Sequence, residues 1–174
     1  MKKLNLGCGE IPKKGWINLD IGDAPHVDIM WDLNKKPYPF KDNSIDEIYS
    51  SCVLEHLKNL GVFVEECYRI LKPKGKIVVK CDYAGYIFLY LLKRMEHNRL
   101  LQNNYKTASW HKKNINKDNH LCLFVPSHLV KLFGEFKEIK VTYPSPNRKK
   151  WKNFLLNSLP FKLGKQHIQI TAIK

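Results

Sequence analysis

Residues 3–9, KLNLGCG, decide how the rest of the chain is interpreted. The short apolar stretch Lys3–Leu6 runs directly into Gly7 and Gly9, and glycine is the residue that lets a backbone turn sharply or another group approach it closely. In open parallel sheets, ligands bind at the carboxyl ends of the strands, where the strand order reverses. We therefore predict that residues 3–9 form the first strand of a parallel sheet followed by a ligand-binding loop.

The loop lacks the parts that hold a pyrophosphate. A dinucleotide site needs a third glycine and the amino terminus of a helix, but position 12 is Pro12, and Asp20 follows Gly9 by only 11 positions. That interval leaves little or no room for a helix between the first two strands. The sequence therefore disfavours a nicotinamide-dependent oxidoreductase and favours a nucleoside cofactor without phosphates.

Two aspartates follow the next two predicted strands. Asp20 lies at the end of a strand predicted over Trp16–Ile21, and Asp32 follows one predicted over Val27–Met30. A carboxylate accepts both hydrogen bonds of a ribose diol, and it also accepts from an adenine amino group. Aspartate is common in turns for backbone reasons alone. Two such residues in register with a glycine loop nevertheless predict a nucleoside site.

The remaining pattern predicts an α/β fold. Leucines and other apolar residues recur at three- and four-residue steps between Leu57 and Leu71, which is typical of one helix face, and a turn is expected at Lys72–Gly75. The other predicted elements are strands Ile45–Ser50, Lys76–Lys80, Phe136–Tyr143 and His167–Ile173, and helices Tyr83–Tyr105 and Pro126–Phe133. We predict a three-layer α/β/α sandwich with a Rossmann-like, seven-stranded, mostly parallel sheet and a final antiparallel strand.

Length and composition fit one folded domain. The chain has 174 residues, of which 44% are hydrophobic and 26% charged, enough for one core. We assign residues 3–82 to a cofactor-binding half, 83–128 to a lid or substrate region, and 129–174 to a sheet-closing half. The odd count of five cysteines, without a CxxC pair or a secretory signal, predicts reduced thiols in a cytoplasm and no metal.

The net charge of +14 leaves the partners open. Clustered lysines and arginines bind RNA or an anionic membrane surface, but here only Arg148–Lys152 forms a dense run, and a generally lysine-rich composition explains the charge equally well. The apolar run Tyr83–Leu92 is too short to span a bilayer as a helix. It fits a helix buried against the sheet or a lid that contacts lipid.

At this point a family resemblance is visible in four successive motifs: LNLGCGE, INLDI, WDLNKKPYPFKDNSIDEIYSSCVLEHL and FVEECYRILKPKGKIVVK. They resemble the class I S-adenosylmethionine-dependent methyltransferase superfamily, in particular its small branch with an LEHL turn after the fourth strand. The similarity is continuous over roughly residues 3–82. A weaker similarity lies in Asp118–His120 and Phe124–Pro126, which resemble a D-x-x-H and F-x-P pair found before the last helix in some members.

The resemblance implies S-adenosylmethionine as cofactor and assigns its contacts by position. The implied cofactor-binding residues are Gly7, Cys8 and Gly9 at the methionine and ribose, Asp20 at the ribose hydroxyls, Ile21, Asp32 and Leu33 at the adenine, and Ser51 and Cys52 at the methionine. Glu55 and His56 correspond to the turn that opens onto the substrate, where His56 serves catalysis or caps the next helix.

The acceptor is not specified by these motifs. Methyl transfer mainly requires alignment, but an acceptor that must lose a proton needs a base. We predict His120 as the first choice for that base, His56 as the second, and Tyr83 as the residue that positions the acceptor. A small-molecule, glycan or lipid-linked acceptor is slightly favoured. RNA is the alternative acceptor, although no Asn-Pro-Pro-Tyr-type signature follows strand four, and a non-catalytic cofactor-binding partner subunit is the alternative of another class.

Overall fold

A seven-stranded sheet forms the centre of the molecule. The computed structural model of the chain describes residues 1–84, 121–144 and 167–174. The strands are β1 Lys3–Leu6, β2 Ile17–Asp20, β3 Ile29–Met30, β4 Ile45–Ser51, β5 Leu71–Asp82, β6 Lys137–Thr142 and β7 His167–Ile173. Their order in the sheet is β3-β2-β1-β4-β5-β7-β6. The first five strands are parallel, and β7 runs antiparallel to both of its neighbours.

The described helices cover one face of this sheet. A 3₁₀ helix, Leu54–His56, is followed by helix α1 over Leu60–Ile70, and helix α2 spans Pro126–Leu132. Asn59 caps α1, because its side chain accepts a hydrogen bond from the Val62 amide at 3.1 Å. The helices pack against each other and against buried residues of the strands, chiefly Leu4, Leu6, Leu19, Ile77, Val79, Ile168 and Ile170.

The opposite face is polar, because alternate residues of a strand point to opposite sides. Glu47 of β4 lies between Lys3 and Lys76 of the neighbouring strands, with Nζ–Oε distances of 2.9 and 3.2 Å. In the same layer, the Lys13 ammonium lies 3.9 Å from the centre of the Tyr49 ring. Among the described residues, this face carries charged and aromatic side chains, and the described helices form one of the two predicted helical layers.

The sheet order and strand directions confirm the predicted Rossmann-like fold. The predicted absence of a first helix is also confirmed, since β1 and β2 are joined only by turns. The turn predicted at Lys72–Gly75 is wrong in one respect, because strand β5 already starts at Leu71 and includes these residues. The pairing of β5 with β4 shifts register here, and Lys74 adopts a φ of 64°. Most of the helix predicted over Tyr83–Tyr105, most of the lid and the basic run at Arg148–Lys152 lie outside the described residues.

Candidate functional site

The glycine loop is bound to the end of β2. The amides of Gly7 and Cys8 both donate to the Leu19 carbonyl, at 2.8 and 3.1 Å. Gly7 and Gly9 have φ angles of 66° and 50°, a backbone conformation that favours glycine. The predicted loop therefore forms at the carboxyl edge of the sheet, directly above the β1–β2 pair.

Asp20 organises this loop. Its Oδ2 accepts a hydrogen bond from the Gly9 amide at 2.9 Å, and its Oδ1 accepts one from the Gly22 amide at 3.1 Å. The residue is only 5% exposed. A carboxylate has about four lone-pair positions, so each oxygen keeps one position for a ligand hydroxyl. Asp20 thus fixes the loop while presenting negative charge beside it.

The space above the loop is open. A Cβ added at Gly9 would meet no atom of residues 1–84, 121–144 or 167–174 within 4 Å, although Gly9 sits next to a buried carboxylate. Ile21 is 38% exposed directly after Asp20, which is unusual for a large aliphatic side chain at the end of a buried strand. His26 closes one side, with its Nε2 2.6 Å from the Gly9 carbonyl oxygen. Hydroxyl acceptors and an apolar surface therefore lie side by side.

Asp32 has a structural role in a turn. Its Oδ1 accepts hydrogen bonds from the backbone amide and the side-chain amide of Asn34, at 2.9 and 3.1 Å. Leu33 is buried, and its carbonyl accepts from the Tyr38 hydroxyl at 2.9 Å. The hydrogen bonds of this turn are therefore enough to explain an aspartate at position 32. The predicted contact with adenine stays a prediction.

The end of β4 meets the glycine loop. The buried Ser50 hydroxyl donates to the Leu6 carbonyl at 3.0 Å and joins the ends of β4 and β1. Ser51 and Cys52 follow at the same edge, and the Cys52 amide donates to the Lys80 carbonyl at 2.8 Å. Val53 packs so closely that its Cγ2 would lie 2.3 Å from a Cβ added at Gly7. The structure thus brings the implied methionine-facing residues to one edge.

The turn after β4 differs from the prediction. Glu55 does not open onto a substrate: it is fully buried, and neither carboxylate oxygen has a hydrogen-bond partner among the described residues. The segment that starts at Leu121 lies against this turn, because the Leu121 amide donates to the Glu55 carbonyl at 2.6 Å. His56 does not cap α1, since Asn59 does so. Its predicted catalytic role stays a prediction.

Burial raises the pKa of Glu55 to about 7. The folded chain then holds a proton that the unfolded chain releases near pH 4.5, so Glu55 lowers the free energy of unfolding progressively as the pH rises through 7. We expect Glu55→Gln to gain about 3 kcal/mol relative to the native chain between pH 4 and 8, measured by urea unfolding. Exposed Glu65, in the same region, gives the control Glu65→Gln, which should show no such gain. Parallel pH profiles for native chain and Glu55→Gln would contradict the prediction.

Tyr83 lies at the end of β5 and is buried. It pairs with Phe124 through a single parallel bridge, and its ring contacts the Tyr143 ring at 5.2 Å between centroids, nearly edge to face. This places the predicted positioning residue next to the segment that lies against the Glu55 turn. His120, the first choice for a base, lies just outside the described residues.

An Asp–His pair at this edge was not predicted from the sequence. Asp82 and His167 are opposite each other in the antiparallel β5–β7 ladder, and the distance from His167 Nε2 to Asp82 Oδ1 is 3.4 Å. Burial and the charge of Lys80 lower the pKa of His167, while Asp82 acts in the opposite direction. No local motif joins positions 82 and 167, because only the strand register brings them together.

Comparisons with known proteins agree with this geometry. A family model described as a methyltransferase domain matches residues 24–79. The Mycolicibacterium smegmatis protein "Probable S-adenosylmethionine-dependent methyltransferase" is 40% identical over 93 residues, covering 44% of this chain and 36% of the relative. A demethylmenaquinone methyltransferase of Streptomyces avermitilis is 29% identical over 82 residues, covering 46% and 30%. The crystal structure of a SAM dependent methyltransferase from Archaeoglobus fulgidus aligns with a TM-score of 0.64 and 17% identity, covering 99% of this chain and 86% of that chain.

Residues 24–79 match the methyltransferase domain family, and the chain has the fold of S-adenosylmethionine-dependent methyltransferases. The residues at the β1–β2 edge fit the cofactor of these methyltransferases. The buried Asp20 carboxylate offers acceptors to a ribose diol, the open space over Gly9 admits a ligand, and exposed Ile21 offers a surface to a planar base. Within the part of the chain that the structure describes, no helix begins between the ends of β1 and β2.

The matches cover only part of the relatives. This methyltransferase chain spans about a third of the length of the two curated proteins, 36% and 30%. The similarity therefore concerns the methyltransferase domain alone and does not specify the acceptor or the partners of this chain. Within residues 1–84, 121–144 and 167–174, no helix has the length and apolar character needed to cross a membrane.

Proposed function

We propose that this chain binds S-adenosylmethionine at the β1–β2–β4 edge and transfers its methyl group to a small molecule. The observation that carries the proposal is the pairing of the Asp20 carboxylate with the Gly9 amide at 2.9 Å, beside open space. This arrangement holds a diol-binding carboxylate and an accessible glycine backbone in fixed relation. Preorganised acceptors bind a ligand without the entropic cost of ordering them.

The cofactor supplies a methyl group that is already activated on a sulfonium, so the chain mainly aligns the reactants and excludes water. Asp20 holds the ribose, Ile21 packs on the adenine, and Asp32 and Leu33 lie at the adenine edge. Gly7, Cys8, Ser51 and the backbone of Cys52 line the methionine portion.

The acceptor lies near the carboxyl ends of β4 and β5 and the start of β7. Tyr83 positions it, and His120 or His56 accepts its proton where the acceptor needs to lose one. The similarity to a demethylmenaquinone methyltransferase supports an apolar small-molecule acceptor. The aromatic pair of buried Tyr83 and partly buried Tyr143 at this edge agrees with such an acceptor.

The proposal is tested with methyl-labelled cofactor and cell extract, separated into small-molecule, lipid, protein and RNA fractions. We expect label in the small-molecule or lipid fraction, and at least ~10-fold less of it with Asp20→Ala, since that variant loses charge-assisted hydrogen bonds to the ribose. Glu135→Gln, an exposed change at the amino edge of the sheet, should keep the native level. A labelled product that is destroyed by RNase would contradict the proposal of a small-molecule acceptor. Label in no fraction would contradict the proposed methyltransferase activity.

A further inference from the structure

Three metal-binding side chains of different types converge beside the proposed methionine site. The Cys52 thiol, a carboxylate oxygen of Asp82 and a ring nitrogen of His167 all lie within 4.8 Å of one another. The Asp82 and His167 side chains are 17% and 19% exposed, so the cluster is largely enclosed and still reachable from solvent. Sequence analysis predicts no metal here because the three positions are far apart in the chain.

The backbone holds these groups in place. Asp82 and His167 are paired in the β5–β7 ladder, which fixes one side of the cluster. Cys52 is fixed on the other side by the hydrogen bond from its amide to the Lys80 carbonyl. Its φ of 56° lies in the left-handed region, which costs roughly 1–2 kcal/mol for a residue other than glycine. Strained residues of this kind cluster at functional sites.

Glu55 is the second observation that points to a cation. Both of its carboxylate oxygens are buried without a hydrogen-bond partner among the described residues. Glu55 follows Cys52 by only three positions in the chain. A divalent cation held nearby would stabilise such a buried carboxylate.

We propose that Cys52, Asp82 and His167 form a zinc site. Zinc accepts sulfur, nitrogen and carboxylate ligands together, whereas magnesium and calcium prefer oxygen ligands alone. Zinc bonds of about 2.0–2.3 Å in a tetrahedron place ligand atoms roughly 3.3–3.7 Å apart. The distance of 3.4 Å between His167 Nε2 and Asp82 Oδ1 already has this value. The Cys52 Sγ lies within 4.8 Å of both atoms, so a small side-chain movement brings it to the same ion.

Three protein ligands leave the fourth zinc position open, which is the arrangement of catalytic zinc sites. The open position takes the acceptor, and the class of acceptor that suits it is a thiol or an alcohol. A zinc ion there would lower the pKa of a bound thiol or hydroxyl, so that its proton would pass to the proposed base or to water and the anion would remain as nucleophile. This inference rests on the proposed function and adds an acceptor class to it.

The test measures zinc binding and cofactor binding on the same proteins. Chelator-treated chain is titrated with Zn²⁺ against a chromogenic competitor, and bound zinc is counted by mass spectrometry. We expect one zinc per chain in the native protein, and binding weakened at least ~100-fold in Cys52→Ser and in His167→Ala. Cys122→Ser and exposed His128→Ala are the matched controls and should bind like the native chain.

Cobalt(II) provides a readout that does not depend on activity. A thiolate-to-cobalt absorption band is expected in the native chain and in both controls, and not in Cys52→Ser. Titration of Cys52→Ser with S-adenosylhomocysteine tests whether the variant is folded. The same titration distinguishes failure of the zinc site from failure of the cofactor site. Cofactor binding without stoichiometric zinc would overturn the zinc site alone, as would equal zinc binding by Cys52→Ser and native chain. Zinc binding without cofactor binding would overturn the proposed function instead.

Discussion

Replacement of Asp20 by alanine is expected to weaken binding of S-adenosylhomocysteine by at least ~100-fold. The carboxylate is expected to accept two charge-assisted hydrogen bonds from the ribose, each worth about 1.5–3 kcal/mol, and a loss of 1.4 kcal/mol is about tenfold in affinity. The variant also loses the acceptors for the Gly9 and Gly22 amides. Calorimetric titration with S-adenosylhomocysteine measures the loss directly.

Two further variants separate the ribose contact from loop disruption. Asp20→Asn has nearly the same shape and keeps one acceptor, so it should retain the fold and still lose at least ~10-fold in affinity because the charge is gone. Glu135→Gln also removes a carboxylate charge but lies at the amino edge of the sheet, and it should bind like the native chain. Native affinity in Asp20→Asn would show that Asp20 serves only the loop.

The second large effect is expected at the two loop glycines. Gly7→Ala should mainly lose stability, whereas Gly9→Ala should mainly lose affinity for S-adenosylhomocysteine. In Gly7→Ala the new Cβ would lie 2.3 Å from Val53 Cγ2, so the β4 turn must move. Overpacking costs about 1–3 kcal/mol and the left-handed backbone about 1–2 kcal/mol. The melting temperature should fall by roughly 4–20 °C, since each kcal/mol is worth about 2–4 °C in a chain of this size.

Gly9→Ala is the matched comparison. Its Cβ meets no atom of the described residues within 4 Å, so only the backbone cost applies and the melting temperature should fall by less than in Gly7→Ala. The added methyl group enters the space proposed for the ribose, and affinity for S-adenosylhomocysteine should therefore fall clearly. Differential scanning fluorimetry and calorimetry test the pair. Equal losses of stability in the two variants would contradict the described contact between Gly7 and Val53.

The parts of the site that follow from local sequence were predictable. The glycines, Asp20 and the short interval between them specify a loop without a helix, because 11 positions are too few for a helix and two turns. The parallel β4–α1–β5 unit follows from the apolar stripe between Leu57 and Leu71. In these regions, chain spacing and residue type determine the geometry before any distant contact forms.

The parts that depend on distant segments were not predictable. The local sequence predicts that Glu55 is a polar residue in an exposed turn, yet its side chain is buried. The segment at Leu121 lies against this turn, with a hydrogen bond of 2.6 Å to the Glu55 carbonyl. Asp82 and His167 meet only because the β5–β7 register places them opposite each other. A single sequence contains no local signal for either contact. The turn at Lys72–Gly75 was misjudged for a related reason, because pairing with β4 and β7 continues the strand beyond it.

The central claim is that the edge of β1 and β2 binds a nucleoside cofactor without phosphates. Calorimetric titration of the native chain with S-adenosylhomocysteine, in parallel with NAD⁺, tests this most directly. We expect one S-adenosylhomocysteine bound per chain with micromolar or tighter affinity, and no measurable heat with NAD⁺. Binding of NAD⁺ without binding of S-adenosylhomocysteine would contradict the account.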